Sequence, residues 1–404
     1  MGTRVERDSM GELNVPSDAL YAAQTQRAVE NFPVSGRAMP ESFIRALLTA
    51  KAAAATANVK LEQIPKDVGI AICKAVEQML SCDNFMSHFP VDVFQTGSGT
   101  SSNMNVNEVL GTVASRILGQ AVNPNDHVNC GQSSNDIIPS TIHISAALGL
   151  QQQLLPSLNH LSQVIKTKAE SVDTYVKTGR THLMDAMPIR LSQSLLSWAS
   201  QIDQAKSTLE DNQEPIYRLA QGGTAVGTGI NAHPEFADEF NKELSRLTGI
   251  QFRPAGNFFN YIGTQDAAVS LSGQLKSLAV AVIKIANDLR WMNSGPLAGL
   301  GEIELQALQP GSSIMPGKVN PVIPEAAAMV GAQVIGNEAA ITIGGQSGNF
   351  ELNVMLPLIA QNLLDSILLL SNVTRLLADK AIATFIVKEE KLKEALARNP
   401  ILVT

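Results

Sequence analysis

The stretch GSSIMPGKVNPVIPE, residues 311–325, sets two adjacent serines, a lysine and an asparagine among glycines, then opens a helix with proline and glutamate. Ser312, Lys318, Asn320 and Glu325 thus bring a hydroxyl, an ammonium, an amide and a carboxylate into one short segment. Three other segments have a related make-up. QTGSGTSSNMNVNE (95–108) carries Ser98 and Thr100, and NPNDHVNCGQSSND (123–136) carries Asn123, Asn125, Asp126, Ser133, Ser134 and Asn135; KTGRTHLMDAMP (177–188) carries Thr181 and His182. Each adjoins an expected helix start, where free backbone N–H groups and small hydroxyls make a ready anion site. Any one of them is satisfied by helix caps and turns. Four in one chain point to convergence on a small carboxylate or a phosphate.

A nucleotide is the rival ligand. Neither TGSGTSS nor QGGTAVGTGIN (221–231) follows the glycine-rich phosphate patterns, and no strands are expected to carry such loops, so carboxylates are favoured. Single residues keep plainer readings open. His182 fits a hydrogen-bonded structural histidine, Lys318 a solvated charge and Glu325 an early-turn glutamate favoured by the helix dipole. His127 and His233 read as structural, while His88, His143 and His160 form no constellation.

The elements that must position these residues are helices. Leu271, Leu275, Leu278, Val282, Ile285, Leu289 and Met292 alternate steps of four and three, a coiled-coil-like seam over 270–292. A second stripe, Leu150, Leu154, Leu158, Leu161 and Ile165, lies in a segment expected to be helical over 137–170, with a bend at Pro156. A third runs through Leu356, Leu363, Ile367, Leu370 and Leu377, and 189–212 forms another helix. Residues 322–345 are rich in Ala and Gly and nearly free of charge, as in a helix buried on all sides. One chain seldom encloses such a helix, so a bundle of about five long helices packed against copies of itself is expected. Shorter helices over 41–62 and 67–81 and polar loops suggest a smaller helical domain, 1–133, ahead of a bundle domain, 134–404.

Composition agrees. Of 404 residues, 45% are hydrophobic and only 4% aromatic, so the core is aliphatic and an all-α class is expected. A net charge of -7 argues against nucleic acid as a partner. Three scattered cysteines suit neither a disulfide framework nor a zinc site. The N-terminus lacks a signal-like apolar core, and no uninterrupted apolar run of about 18 residues occurs, so a protein off the membrane, in a reducing cytoplasmic compartment, is expected.

GSSIMPGKVNP closely resembles the signature of the fumarase/aspartase superfamily, and the whole chain is similar to its class II, iron-independent fumarate hydratases. RDSMGELNVP, AQTQRAVENF, QTGSGTSSNMN, SSND, GRTH, GGTAVGTGIN and SGNFELNVMLP carry the likeness in the same order. The resemblance implies an all-α fold whose long-helix bundle forms the core of a homotetramer, sites shared by three subunits, and hydration of fumarate to L-malate without cofactor or metal. It implies Ser312 as the base, with His182 and Glu325 handling the water proton. Ser98, Thr100, Ser133, Ser134, Asn135, Thr181, Lys318 and Asn320 become substrate binders. A second carboxylate site would fall at Asn123, Asn125 and Asp126, although Asn123 stands where the family has histidine. Aspartases tend to carry glutamine at the position of His182, which speaks against an ammonia-eliminating relative; a silent structural member, as among lens crystallins, is the alternative of another class. The family also continues past NPILVT into a small C-terminal domain, and this sequence stops at Thr404.

Overall fold

The computed structural model describes residues 2–311, 313–315 and 317–399. In chain order it forms β1 (Thr3–Asp8), β2 (Gly11–Pro16), α1 (Ala23–Asn31), α2 (Glu41–Lys60), α3 (Lys66–Leu80), α4 (Thr100–Leu118), α5 (Ser134–Gly149), α6 (Leu155–Ser171), β3 (Val176–Thr181), β4 (Met184–Arg190), α7 (Leu191–Asp211), α8 (Glu214–Tyr217), α9 (Phe236–Thr248), α10 (Phe258–Gly263), α11 (Asp266–Met292), α12 (Val322–Gly345), α13 (Leu356–Leu377) and α14 (Glu389–Arg398). Helices dominate, as the aliphatic, aromatic-poor composition requires. The periodic stripes become buried faces: every seam residue of α11 from Leu271 to Met292 is at most 5% exposed, and the stripe of α13 is buried throughout. A π turn, Leu150–Leu154, separates α5 from α6. Pro156 follows closely on that turn, so the N–H it lacks falls where the regular helical ladder is already interrupted.

Contacts gather the chain into two discontinuous units. The first takes the chain up to Gly149 with Gln213–Ser272 and Glu338–Asp365; the second takes Leu150–Asn212, Gly273–Asn337 and the chain from Ser366 onwards. Within the first, α2 packs on α3, α5 and α9, and α3 on α4. Glu108 on α4 holds the start of α1, its carboxylate accepting from the backbone N–H groups of Ala22 and Gln24 at 2.9 Å each and from Thr25 at 3.1 Å. An internal carboxylate thus occupies that helix N-terminus. Within the second, α6 packs along α7, and the Trp198 indole donates to Asp288 at 3.1 Å.

One expectation needs correction. Strands do occur: β1 pairs with β2 and β3 with β4 as antiparallel hairpins, and further ladders are only two residues long. The segment 177–188 is therefore a hairpin that leads directly into the start of α7. Helices of membrane-spanning length and apolarity also exist, at Asp266–Met292, Val322–Gly345 and Leu356–Ile382. An average over a window tolerates single charges such as Lys284 that break an uninterrupted run. The first and third of these are 50% and 61% buried in their most apolar windows, but α12 only 28%. Ala327, Val334 and Ile341 of α12 form one buried stripe, while Met329 and Ile343 are 68% and 55% exposed, so a single chain covers one face of this helix only.

Candidate active site

In the first unit, α4 and α5 present their N-termini with the hydroxyl-rich segments attached. The Ser98 and Thr100 hydroxyls share a hydrogen bond of 2.9 Å. A Cβ on Gly97 would lie 1.7 Å from the Val354 carbonyl oxygen, so only glycine lets this loop lean on the LNVML segment, where the Leu356 N–H also donates to the Gly97 carbonyl at 3.0 Å. The turn before α5 is held as tightly. Asn103 of α4 donates to the Ser134 hydroxyl at 3.0 Å, and Asn135 donates to the Ala225 carbonyl at 2.8 Å. Asp136, wholly buried, accepts from the N–H groups of Ser133, Gly222 and Thr224 and from Gln221. Burial pushes its carboxyl up to about 6 against the pull of those donors and of Lys51.

Asn123, Asn125 and Asp126 fall together at the turn Pro124–Val128. There the Asn123 side chain itself accepts from the N–H groups of Asn125 and Asp126, at 2.8 and 3.0 Å. The backbone donors that an incoming carboxylate would use are thus already engaged by a local cap.

In the second unit Gly311 and Lys318, at the two ends of the signature segment, lie against each other. A Cβ on Gly311 would lie 1.4 Å from the Lys318 carbonyl oxygen, so the two ends meet only because residue 311 has no side chain. Lys318 Nζ donates to Asn320 Oδ1 at 2.8 Å, which leaves the ammonium with further protons to offer. Both residues line a cleft of about 560 Å³ together with Glu325, in the first turn of α12, and with Arg290, Asn287 and Trp291 of α11. Two cations and several amides facing a carboxylate suit an anionic ligand. Ser312 lies outside the described residues.

His182 is presented differently. It and Leu183 form the two-residue turn between β3 and β4, at φ 55° and 60°. That left-handed pair is the hairpin turn favouring Asn-Gly, so histidine and leucine hold it at a cost, a pattern that gathers at functional positions. The hairpin base is anchored by Glu302, which accepts from Lys177 at 2.6 Å and from Arg180 at 2.7 Å. Residues three apart on a regular strand face opposite sides. A register shift between Thr178 and Arg180 brings both cations to one carboxylate. His182 is exposed and does not line the Lys318 cleft, and among the described residues no hydrogen bond links it to Glu325 within one chain.

Sequence reasoning missed the supports. Lys51, Asn103 and Asn107, all buried, donate together to the half-buried Asn129, and Arg290 joins the Lys318 cleft. A signal did exist for Lys51, a lone lysine inside the alanine run of α2, and for Asn103 and Asn107, four apart on one helix face. Glu302 had none, because its partners are far along the chain.

The chain matches the Lyase family over residues 11–336. Fumarate hydratase class II 2 of Pseudomonas aeruginosa is 71% identical over 402 residues, covering 100% of this chain and 88% of that protein. Fumarate hydratase class II of Xylella fastidiosa is 58% identical over 401 residues, covering 99% and 85%. The crystal structure of class II fumarase from Schistosoma mansoni matches with a TM-score of 0.97 at 40% identity, covering 100% of this chain and 88% of that one. The chain belongs to the lyase family with this all-α fold. Such identity over its full length places it among the class II fumarate hydratases.

Proposed function

We infer that the chain is a fumarate hydratase, interconverting fumarate and L-malate in the tricarboxylic acid cycle by anti addition and elimination of water through an aci-carboxylate intermediate. From malate towards fumarate, the C–H beside a carboxylate gives up its proton to Ser312, and the electron pair passes into that carboxylate to give the aci-carboxylate dianion. Stabilising that extra charge is the largest demand, and a preorganised donor is worth about 3 to 4 kcal/mol. Lys318 and Asn320 hold one carboxylate. Ser98, Thr100, Ser133, Ser134, Asn135 and Thr181 supply hydroxyl and amide donors to the rest of the substrate. His182, with Glu325 as its carboxylate partner, delivers the proton that lets hydroxide leave. The observation that carries the reading is the cleft lined by Lys318, Asn320 and Glu325, in which the Lys318 ammonium donates to Asn320 Oδ1 and keeps further protons for an anion.

The donors lie on separate elements, and His182 does not meet Glu325 within one chain, which supports a site assembled from three subunits of a homotetramer. The open apolar face of α12 and the exposed Leu183, Met184 and Met187 of the hairpin, 66%, 69% and 59% accessible, support the same assembly. Residues 1–133 then form the leading domain and 134–404 the bundle domain bearing the signature loop. A second carboxylate site at Asn123, Asn125 and Asp126 would need the ligand to displace the Asn123 side chain from the N–H groups of Asn125 and Asp126. A soluble enzyme of the cytoplasm fits this chemistry, with no partner beyond the dicarboxylate and its own copies.

The test is the ultraviolet absorbance of fumarate's conjugated double bond after L-malate, then L-aspartate, is added to the purified chain. A rise with malate alone is expected. Ammonia release from L-aspartate with malate inert would move the chain to the aspartases, and an inert, folded assembly would make it a structural member.

A further inference from the structure

Lys51 is the least expected charge in the molecule. It lies in mid-helix on α2, fully buried between Ala50 and Ala53, which are equally buried. Burial pulls its ammonium down to about 7, with Asp136 opposing that shift. A lysine in such a place is costly unless it does something an aliphatic residue cannot.

Its contacts indicate what that is. Nζ donates to Asn129 Oδ1 at 3.0 Å and to Gln132 Oε1 at 2.8 Å, the two amides that bracket the turn leading into Ser133 and Ser134. Asn129 Oδ1 also accepts from the side-chain amides of Asn103 and Asn107, at 3.2 Å each. Three donors thus meet on one carbonyl oxygen, and the ammonium is the strongest of them. Asn103 then passes the arrangement on, since the same nitrogen donates to the Ser134 hydroxyl at 3.0 Å. The far oxygens of Asn103 and Asn107 are buried without a hydrogen-bond partner, so neither amide can flip to an equivalent arrangement at no cost. Two turns further along α2, Asn58 donates to the Cys130 carbonyl at 2.9 Å and clamps the same segment.

We propose that Lys51 is a positioning residue, which fixes the Asn129–Ser134 turn and, through Asn129 and Asn103, aims the Ser134 hydroxyl at the substrate. The proposal rests on the fumarate hydratase reading, in which Ser134 binds substrate. An aliphatic residue would fill the space but remove the strongest of the three donors on Asn129 Oδ1 and the only ammonium on Gln132 Oε1, leaving the turn to weaker amide contacts. Lys51 therefore acts on ligand binding as well as on stability.

The experiment is a double-mutant cycle with Lys51→Met and Asn103→Ala, read by steady-state kinetics with L-malate on protein whose folding and assembly match wild type. Each single variant is expected to raise KM about tenfold or more, and the double variant to be no worse than the poorer single, because both cut one relay. Effects that multiply, or a folded Lys51→Met variant with KM within about twofold of wild type, would overturn the relay. If Lys51→Met does not fold, Asn103→Ala decides alone: an unchanged KM refutes the proposal and a raised one upholds its last link. A wild-type chain inert towards malate would sink the fumarate hydratase reading and the relay with it, whereas an active wild type with silent variants sinks the relay only.

Discussion

Replacing Glu302 by Gln tests whether the hairpin bearing His182 is held from below. The Glu302 side chain is 3% exposed, with Lys177 8% and Arg180 18% exposed on its two oxygens at 2.6 and 2.7 Å. Glutamine keeps one acceptor and turns an N–H group towards the other cation, so one buried positive charge loses its partner and two donors face each other. Breaking a buried pair in this way costs about 3 to 5 kcal/mol, and the partial exposure of Arg180 argues for the lower end, about 3 kcal/mol. The same change should reach the turn. His182 and Leu183 keep their left-handed backbone, at roughly 1 kcal/mol or more each, only while the strands are pinned. Urea unfolding monitored by circular dichroism measures the first effect. Initial rates with L-malate measure the second, and kcat is expected to fall at least tenfold with KM changing less. A control that replaces all three by apolar residues, Lys177→Met, Arg180→Met and Glu302→Leu, should recover much of the stability but not the activity. Stability within about 0.5 kcal/mol of wild type for Glu302→Gln, or full kcat despite the expected loss of stability, would refute the reasoning.

Ser312→Ala should lower kcat by orders of magnitude with unchanged assembly on size-exclusion chromatography, and near-wild-type turnover would remove Ser312 as the base. Gly311→Ala should cost about a hundredfold in kcat at an unaltered melting temperature, since a Cβ 1.4 Å from the Lys318 carbonyl forces positions 311 and 318 apart without touching the core; full activity would show that their close approach is not needed. Activity should survive exhaustive treatment with a chelator, and loss with recovery on adding metal would count against the assignment. His143 is pushed down to about 4 from an ordinary 6.5, chiefly by burial. The unfolded chain therefore takes up its proton first as pH falls, and the stability His143 contributes is complete above about 6.5 and is lost towards 4, roughly 2 kcal/mol of it by about pH 5. The raised carboxyl of Asp136 acts in the opposite sense over its own window, so the test is the difference between wild type and His143→Gln in urea unfolding at both ends of this range; equal slopes would refute the assignment.

What the sequence determined by itself is local in origin. A helix is set by contacts three and four residues away, so the seams of α11 and α13 and the stripe running from Leu150 to Ile165 were legible from spacing, and the helix at 322–345 from its nearly charge-free Ala and Gly composition. The chemistry-bearing segments stood out for a similar reason, because small polar residues and glycine are conspicuous among aliphatic helices. Tertiary structure decided everything that depends on distant partners. The hairpin at His182 exists because Val176–Thr181 and Met184–Arg190 pair, and because Glu302, more than a hundred residues on, neutralises two cations on one side of it. Lys51 reads as one polar residue in an alanine helix until folding brings Asn129 and Gln132 to its ammonium. The same holds for α12, whose even apolarity suggests burial on every side although one chain covers only one stripe of it. Periodicity records which faces avoid water; which atoms meet across those faces, and whether a second copy must supply them, is a property of the folded chain.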